Sequence, residues 1–432
     1  MNARFSKCLV SVLVIAALAL AIVPFAGAQE GPPQVGLRPD APPYALHGPY
    51  WVGTRELVIE PESERPLPLT VWYPALNPDG VTEEITYIYD SFVSIEGFTQ
   101  PGHAIADAAP DTADGPYPLV ILSHGLCSYR YNFAYLGEHL ASHGFLVMAV
   151  DQTGDTLGYS TDPELRKVDW SGFVEGLLNA FIYRPADVQR QIDYADLATA
   201  QDGDLPGLID TDHIAVVGHS LGGYTALTAA GAQVDLGPTK DWCAANAGDA
   251  VVTANSLYVM GCQILFPSES QLLTMHGIEA NAGGMWPPFD VTGVDAIVPL
   301  SLSAVFGTES FDNVTVPTLL TVGTDEYSLD LNHEHALMIY ENLASDHKGL
   351  IVFDNANHFF PATECSPWFY DHQNPEACAT DAVWDIDRTH DLINHFTTAF
   401  LLAVLKDDAE AAAALAPDAV SFPGITYEAQ GF

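Results

Sequence analysis

The sequence predicts an α/β fold in which helices cover both faces of a mostly parallel central sheet. Short apolar runs of strand length alternate with stretches whose apolar residues repeat at helical spacing, a pattern typical of β-α-β units. The first such unit has a strand at residues 117–122, a helix at 131–142 and a strand at 145–150. A glycine-rich hexapeptide at residues 218–223 then separates a β-branched run from an Ala/Leu-rich stretch, which predicts a strand, a sharp turn and a helix.

Two further elements of this fold are predicted upstream of the hexapeptide. Residues 54–59 and 69–73 are short β-prone runs on either side of a proline-bounded turn at 61–66, and they predict an antiparallel hairpin. Residues 184–200 predict a helix with Pro185 in its first turn, where a proline is well tolerated. This helix is expected to lead into the strand before the hexapeptide.

The hexapeptide at residues 218–223, GHSLGG, has the pattern of a nucleophile elbow. Gly218 and Gly222 flank Ser220, and a Cβ at either glycine would collide with the neighbouring strand or helix. Such a turn also directs the first N–H groups of the helix at a substrate carbonyl. We therefore expect Ser220 to be a nucleophile and the N–H of Leu221 to be one donor of an oxyanion hole.

A second tight loop, at residues 123–126, follows the buried strand at 117–122. Parallel strands end at the same edge of a sheet, so this loop is expected to lie beside the hexapeptide. The N–H of Leu126 is the expected second oxyanion donor. Cys127 comes next and is expected to pack near the site. The alternative, a functional thiol, has no partner nearby in the sequence.

Four segments together resemble one branch of a known enzyme superfamily. They are SHGL at 123–126, LASHGF at 140–145, RPADV at 184–188 and the hexapeptide at 218–223. This set is similar to the predicted dienelactone-hydrolase and platelet-activating-factor-acetylhydrolase-like branch of the α/β-hydrolases. Dienelactone hydrolases use a cysteine nucleophile, whereas this chain has Ser220, so that specific activity is not implied.

The C-terminal part of the chain is also similar to bacterial cutinases, including those that cut aromatic polyesters. The similarity lies in VPTLLTVG at 316–323 and DNANHF at 354–359. The resemblance as a whole covers residues 47–230 and 295–405. It implies the α/β-hydrolase fold and a catalytic triad, in the chain order Ser, acid, His, that cleaves esters without a cofactor.

His358 is the expected general base. It lies in an asparagine-rich turn just after a strand at residues 349–353, from which its imidazole can reach over the sheet edge toward Ser220. Imidazole accepts a serine proton well near neutral pH, and a carboxylate fixes its tautomer. His219, inside the hexapeptide, is expected to pack rather than to take part in the chemistry.

Two adjacent carboxylates follow the strand at residues 317–323, and either can be the triad acid. The family spacing Gly-x-x-Asp falls on Glu326, whereas the usual identity of the acid falls on Asp325. Asp325 is slightly favoured on identity, and Asp330 is a distant third.

The N-terminus predicts export. Residues 1–28 contain Arg4 and Lys7, an apolar core at 9–23, and an A-x-A site that ends at Ala28. This is the pattern of a secretory signal peptide cleaved near Ala28, not of a membrane anchor. We expect a secreted protein, either extracellular or periplasmic.

The chain is strongly acidic, with 56 acidic against 14 basic residues and a formal net charge of −42. Such a charge repels nucleic acids and anionic membranes, and neither is expected as a partner. It is typical of a salt-adapted protein, and it is equally typical of an ordinary acidic exoenzyme. A small or polymeric ester is the expected partner, and the protein is expected to be a monomer.

Five cysteines lie beyond the predicted signal peptide. Proximity suggests the disulfides Cys243–Cys262 and Cys365–Cys378, although spacing alone does not fix connectivity. No metal is expected, because the H-x-H pair at residues 333–335 lies in a predicted helix that would point its two rings apart.

No linker or repeat divides the chain, so residues 29–432 are expected to form one catalytic domain. Residues 232–294, between the hexapeptide and the next strand at 296–302, carry tryptophans and methionines and predict a cap over the acyl pocket. The alternative is a packed insertion without substrate contact.

These features predict a serine carboxylester hydrolase. A lipase or polyester hydrolase that acts at an interface is the alternative within enzymes. A catalytically silent binding protein with the same fold is the alternative from another class, and the presence of both Ser220 and His358 argues against it.

Overall fold

The computed structural model of the chain describes residues 31–90, 94–156, 170–249, 261–263, 266–281, 283–302, 305–325, 333–368, 378–379 and 381–432. The predicted signal peptide at 1–28 lies outside the described residues, as do Glu326 and Asp330.

A large mixed sheet forms the centre of the described chain. The strands are β1 (Trp51–Ile59), β2 (Leu67–Ala75), β3 (Ile85–Asp90), β4 (Ser94–Gly102), β5 (Ile105–Ala106), β6 (Tyr117–Ser123), β7 (Leu146–Val150), β8 (Ile209–Ser220), β9 (Ala296–Leu302), β10 (Thr318–Gly323), β11 (Lys348–Phe353) and β12 (Ile425–Gln430). Ten of them form one sheet in the order β12-β11-β10-β9-β8-β6-β7-β2-β1-β5, and β3 pairs with β4 in a separate hairpin.

Parallel pairing dominates the middle of this sheet. The pairs β7–β6, β6–β8, β8–β9, β9–β10 and β10–β11 are all parallel. Antiparallel pairs flank them, since β2 pairs with β7 and with β1 at one side and β12 pairs with β11 at the other. The predicted mostly parallel sheet is confirmed, and the strand that ends at Ser220 lies in its interior.

Helices cover both faces of the sheet. They are α1 (Ala134–Ser142), α2 (Trp170–Ala198), α3 (Leu221–Ala229), α4 (Gly237–Asn246), α5 (Phe266–His276), α6 (His333–Asn342), α7 (Ile386–Leu405) and α8 (Ala409–Ala414). One buried cluster joins α2, α3 and α6 to the sheet, and a second joins α1 and α7 to the opposite face. Among the described helices, none combines the length and the apolar character needed to cross a bilayer.

Most of the predicted elements are present at nearly the predicted positions. The hairpin β1–β2 pairs residue for residue from Trp51 with Ala75 to Ile59 with Leu67. The unit β6-α1-β7 also forms, with a short 3₁₀ turn at Arg130–Phe133 before α1. Local apolar periodicity was sufficient for these elements because they pack against sequence neighbours.

The predicted start of the helix at residue 184 is wrong, because α2 begins at Trp170 and Pro185 lies inside it. A proline within a helix lacks the N–H that would bond to the carbonyl four residues earlier. Here that carbonyl belongs to Phe181, and the hydroxyl of Tyr224 on α3 donates to it at 2.7 Å. A tertiary hydrogen bond therefore replaces the lost helical one.

The described residues of the segment at 232–294 contribute to the core beside α2. His276 of α5 lies 2.8 Å from the amide oxygen of Asn179, and Trp286 is buried, with its backbone N–H bonded to Val234 O. The predicted disulfide Cys243–Cys262 is present within it. Whether this segment caps an acyl pocket stays a prediction.

Candidate active site

Ser220 stands at the sharp turn between β8 and α3. Its backbone has φ +56° and ψ −116°, a left-handed φ that residues other than glycine adopt rarely. A Cβ on Gly218 would lie 2.1 Å from Gly222 O, and a Cβ on Gly222 would lie 1.9 Å from Ser123 O. Only glycine fits at either position, and the half-buried Ser220 is thereby held at the carboxyl edge of the sheet.

The loop after β6 lies directly beside Ser220. A Cβ on Gly125 would be 3.5 Å from Ser220 Cβ. Within the described part of the chain, no acceptor takes the backbone N–H of Leu126. The N–H of Leu221 is the first in α3, where backbone donors have no partner within the helix. Both predicted oxyanion donors are thus on elements adjoining Ser220.

His358 lies in the turn that follows β11. It is next to His219, the residue that directly precedes Ser220. The His219 and His358 ring centroids are 4.9 Å apart, and His219 Nε2 lies 2.8 Å from the backbone oxygen of His358. A carbonyl only accepts, so Nε2 carries the proton and donates. Burial, together with the nearby His358, lowers the pKa of His219 to about 3, so this ring is neutral at physiological pH.

His219 was expected to pack, and it does contact Phe133, with ring centroids 5.6 Å apart. It also ties the His358 turn to the elbow strand by a hydrogen bond, which the sequence analysis missed. Successive side chains of a strand point to opposite faces, so the His219 side chain, directly before Ser220, points away from the nucleophile. This position was the available signal for a structural role.

Other contacts fix the His358 turn on its far side. The carboxylate of Asp381 accepts the N–H of Asn357 at 2.7 Å, and the Asn357 side chain accepts the N–H of Phe359 at 2.8 Å. The hydroxyl of Tyr135, on α1, donates to Pro361 O at 2.8 Å. These contacts restrain the backbone on both sides of His358 in the chain.

The loop after β10, which carries the candidate acids, is hydrogen-bonded to the same turn. Asp325 N donates to Ala356 O at 2.9 Å, and Asn355 N donates to the Thr324 hydroxyl at 2.7 Å. Asp325 itself is exposed, and among the described residues no donor bonds to its carboxylate. The elements of the three expected triad members therefore meet at one sheet edge, without a contact that identifies the acid.

Cys127 adjoins the Leu126 loop and has a left-handed φ of +53°. Its backbone N–H donates to the carboxylate of Asp155 at 2.8 Å. Burial, with a smaller contribution from the Asp155 charge, raises the pKa of the Cys127 thiol well above its ordinary value. The thiol is therefore protonated at neutral pH, which weighs against a nucleophilic role.

Curated relatives of known activity match parts of this chain. The platelet-activating factor acetylhydrolase of Canis lupus familiaris is 33% identical over 26% of this chain and 32% of its own length. The bis(hydroxyethyl) terephthalate hydrolase of Streptomyces coelicolor is 29% identical over 34% of this chain and 40% of its own length. Cutinase est1 of Thermobifida alba is 32% identical over 28% of this chain and 32% of its own length. Each match spans well under half of the relative.

A solved structure and a family model cover more of the chain. A ferulic acid esterase from Streptomyces cinnamoneus superimposes with a TM-score of 0.52 at 19% identity, over 88% of this chain and 96% of that one, and shows the same fold. The model described as the alpha/beta hydrolase family matches residues 120–379, which is more than half of the chain. The resemblance read from the sequence motifs is confirmed, and the chain belongs to the alpha/beta hydrolase family.

Proposed function

We propose that this protein is a serine carboxylester hydrolase. The observation that carries the proposal is the strained Ser220 at the end of a buried strand, with the Leu126 loop on one side and the His358 turn on the other. The similarity of the chain to acetylhydrolases, cutinases and a terephthalate ester hydrolase supports the same chemistry.

In the proposed reaction, Ser220 Oγ attacks the ester carbonyl carbon while His358 takes its proton. The negative charge moves to the carbonyl oxygen, which accepts hydrogen bonds from the N–H groups of Leu126 and Leu221. When the C–O bond to the alcohol breaks, His358 returns the proton to the leaving oxygen. Water, activated by His358, then hydrolyses the acyl-enzyme and regenerates Ser220. Every step uses side-chain and backbone groups of this chain.

For the acid we propose Glu326, in place of Asp325, which the identity of the residue slightly favoured. The exposed side chain of Asp325 supports this choice, because the carboxylate of such a triad is ordinarily buried against the histidine. The family spacing from Gly323 also falls on Glu326. Asp325 is the alternative and is tested below.

An ester polymer is the second candidate substrate, because two of the similar proteins are named as a cutinase and a terephthalate ester hydrolase. Two measurements separate a small soluble ester from a polymer as the substrate. They are turnover of p-nitrophenyl esters of increasing acyl length and release of soluble product from a polyester film. Activity on the soluble esters alone would assign a small-molecule esterase.

We also propose that the protein is exported. The disulfides Cys243–Cys262 and Cys365–Cys378 support export, because such bonds persist in oxidising compartments. Mass spectrometry of the protein expressed in a secreting host tests this directly. A mature N-terminus near residue 29 is expected, and an intact N-terminus on a cell-retained protein would contradict it.

A fluorophosphonate tests the serine mechanism itself. Its phosphorus is attacked by an activated serine, fluoride leaves, and a stable phosphonyl-serine remains. We expect one adduct per chain, on the peptide that contains Ser220, and none on unfolded protein. An unlabelled native protein would favour the silent binding protein.

A further inference from the structure

A buried ion pair lies behind the loop that carries Leu126. Arg184, in the middle of α2, and Asp155, after β7, have side chains that are each 1% exposed. Arg184 Nη2 is 2.6 Å and Nε 2.7 Å from the same Asp155 oxygen. The reaction proposed above assigns neither residue a step, although both approach the candidate site.

Both members of this pair also bind the loop backbone. Arg184 Nη2 donates to Gly125 O at 2.9 Å, and Nη1 donates to His124 O. The second oxygen of Asp155 accepts the N–H of Cys127. Three consecutive peptide groups, from His124 to Cys127, are therefore held from the buried side by one ion pair.

The geometry of the peptide bond turns this restraint into an orientation. In a trans peptide the C=O and the N–H point in opposite directions. The peptide that joins Gly125 to Leu126 directs its oxygen at Arg184, so its N–H points away from the ion pair. A Cβ on Gly125 would touch Ser220, which places this peptide beside the expected nucleophile.

The backbone of the loop is strained, and the ion pair helps to hold it. Cys127 has φ +53°, a conformation that persists in residues other than glycine only when the surroundings fix it. Ser128 N–H, at 3.2 Å, and His124 Nδ1, at 2.7 Å, also approach Gly125 O, but both belong to the loop itself. Arg184 and Asp155 lie outside the loop and anchor it to the core.

We propose that Arg184 and Asp155 are positioning residues that set the oxyanion hole by fixing the direction of the Leu126 N–H. This inference rests on the serine mechanism proposed above. Preorganised donors stabilise a transition state more than a ground state, and a displacement of about 1 Å can cost about 10²-fold in rate. We call the pair Arg184 and Asp155, with its hydrogen bonds to the loop at 124–127, the loop clamp. Loss of the clamp should therefore affect kcat much more than KM.

Arg184→Lys tests the proposal. Lysine keeps the charge beside Asp155 but cannot present the planar fork of donors that reaches two carbonyls. We expect kcat per fluorophosphonate-titrated site to fall about 10²-fold, with KM changed by no more than about threefold.

A pair of inhibitors gives a readout that lost stability alone would not move. A trifluoromethyl ketone forms a tetrahedral adduct whose oxygen occupies the oxyanion hole, whereas the matched methyl ketone binds largely without forming it. In Arg184→Lys, affinity for the trifluoromethyl ketone should fall in parallel with kcat/KM, and affinity for the methyl ketone should not change.

The chain offers a matched control in Arg130 and Asp151, whose side chains are 4% and 0% exposed and form another buried ion pair. The Arg130 guanidinium donates hydrogen bonds to Thr70, Glu56 and its neighbour Tyr131, and among the described residues it donates none to the backbone of the loop at 124–127. Arg130→Lys should lower the melting temperature without changing kcat or the ratio of the two ketone affinities.

Equal stability losses in the two lysine variants, with kcat and the ketone ratio unchanged in both, would overturn the proposal. So would equal losses of kcat in both. If Arg184→Lys does not fold, the double variant Arg184→Gln with Asp155→Asn removes both charges, leaves no lone buried charge, and is read in the same way.

The outcome is separable from the serine mechanism. If the wild type is not labelled by a fluorophosphonate, the proposed function fails. If the wild type is labelled and Arg184→Lys keeps its kcat, only the clamp fails.

Discussion

At the scale of single residues, the strained Ser220 is the feature most closely linked to function. A left-handed φ in a residue other than glycine costs about 1–3 kcal/mol, and such strain persists where the surrounding structure determines it. Here Gly218 and Gly222 pack so closely that neither position has room for a Cβ, and the turn between them is fixed by these contacts. The contact of Gly218 lies within the hexapeptide, and that of Gly222 is with Ser123 on the neighbouring strand β6. The hexapeptide pattern predicted both glycines because this turn always packs against a strand or helix.

The acid and the loop clamp could not be identified from sequence. Asp325 and Glu326 are adjacent, and which of them faces His358 depends on a backbone direction that no local pattern fixes. Arg184 lies 29 residues from Asp155 and 59 from Gly125. Only the fold brings them together.

Two isosteric substitutions decide between the candidate acids. Only one carboxylate can bond to the imidazole Nδ1–H of His358, so one substitution should matter and the other should not. We expect Glu326→Gln to lower kcat by about 10³-fold or more and Asp325→Asn to stay near the wild-type rate. The measurement is kcat per titrated site on a p-nitrophenyl ester.

The reverse order would assign the acid to Asp325. Near-wild-type rates in both variants would place it elsewhere, at Asp330 or after β9, and would contradict both assignments.

At the scale of secondary-structure elements, α1 and the β3–β4 hairpin meet at a buried carboxyl group. Glu138 on α1 is 5% exposed and accepts a hydrogen bond from the Tyr87 hydroxyl at 2.6 Å. Burial raises the pKa of Glu138 to about 8, and the hydrogen bond from Tyr87 opposes only part of this. The hairpin therefore packs on a carboxylic acid that is mostly neutral at pH 7.

This burial predicts a pH dependence of stability. Between the pKa of Glu138 in the unfolded chain, about 4.3, and the folded value of about 8, the folded state holds a proton that the unfolded state releases. Stability contributed by this proton is complete below that window and is lost as pH rises through it. Glu138→Gln keeps an oxygen for Tyr87 and cannot ionise.

Between pH 5 and pH 8, we expect the unfolding free energy of the wild type to fall relative to that of Glu138→Gln. The difference should be at least about 1.4 kcal/mol, which corresponds to one pKa unit. Urea denaturation at the two pH values measures this difference. Glu410→Gln, which changes an exposed glutamate on α8, is the control and should show no such difference. Parallel loss of stability in Glu138→Gln and the wild type would show that Glu138 does not titrate as expected.

At the scale of the whole molecule, the dominant property is its charge. With 56 acidic and 14 basic residues, repulsion between carboxylates acts over the whole surface. Several arginines are already used in internal pairs, such as Arg184 with Asp155 and Arg130 with Asp151. The composition gives the net charge, whereas the fold is needed to show which arginines form internal ion pairs.

Salt should therefore stabilise the protein. The Debye length falls from about 30 Å at 0.01 M salt to about 3 Å at 1 M, so repulsion between surface carboxylates is largely screened at the higher concentration. We expect the melting temperature to rise with NaCl and to rise less in sucrose of equal osmolality. A flat or falling melting temperature across the salt series would leave the acidic composition as a solubility feature only.

The central claim is that Ser220 is the nucleophile of an esterase, and Ser220→Ala tests it most directly. The substitution removes one oxygen from a half-buried turn without opening a core cavity, so we expect the melting temperature to stay close to that of the wild type. Thr228→Ala removes a buried hydroxyl from α3, the helix that follows Ser220. This variant is the control and should keep its activity. The account predicts that Ser220→Ala lowers p-nitrophenyl ester turnover by about 10⁴-fold or more. A folded Ser220→Ala protein that retained most of the wild-type turnover would contradict it.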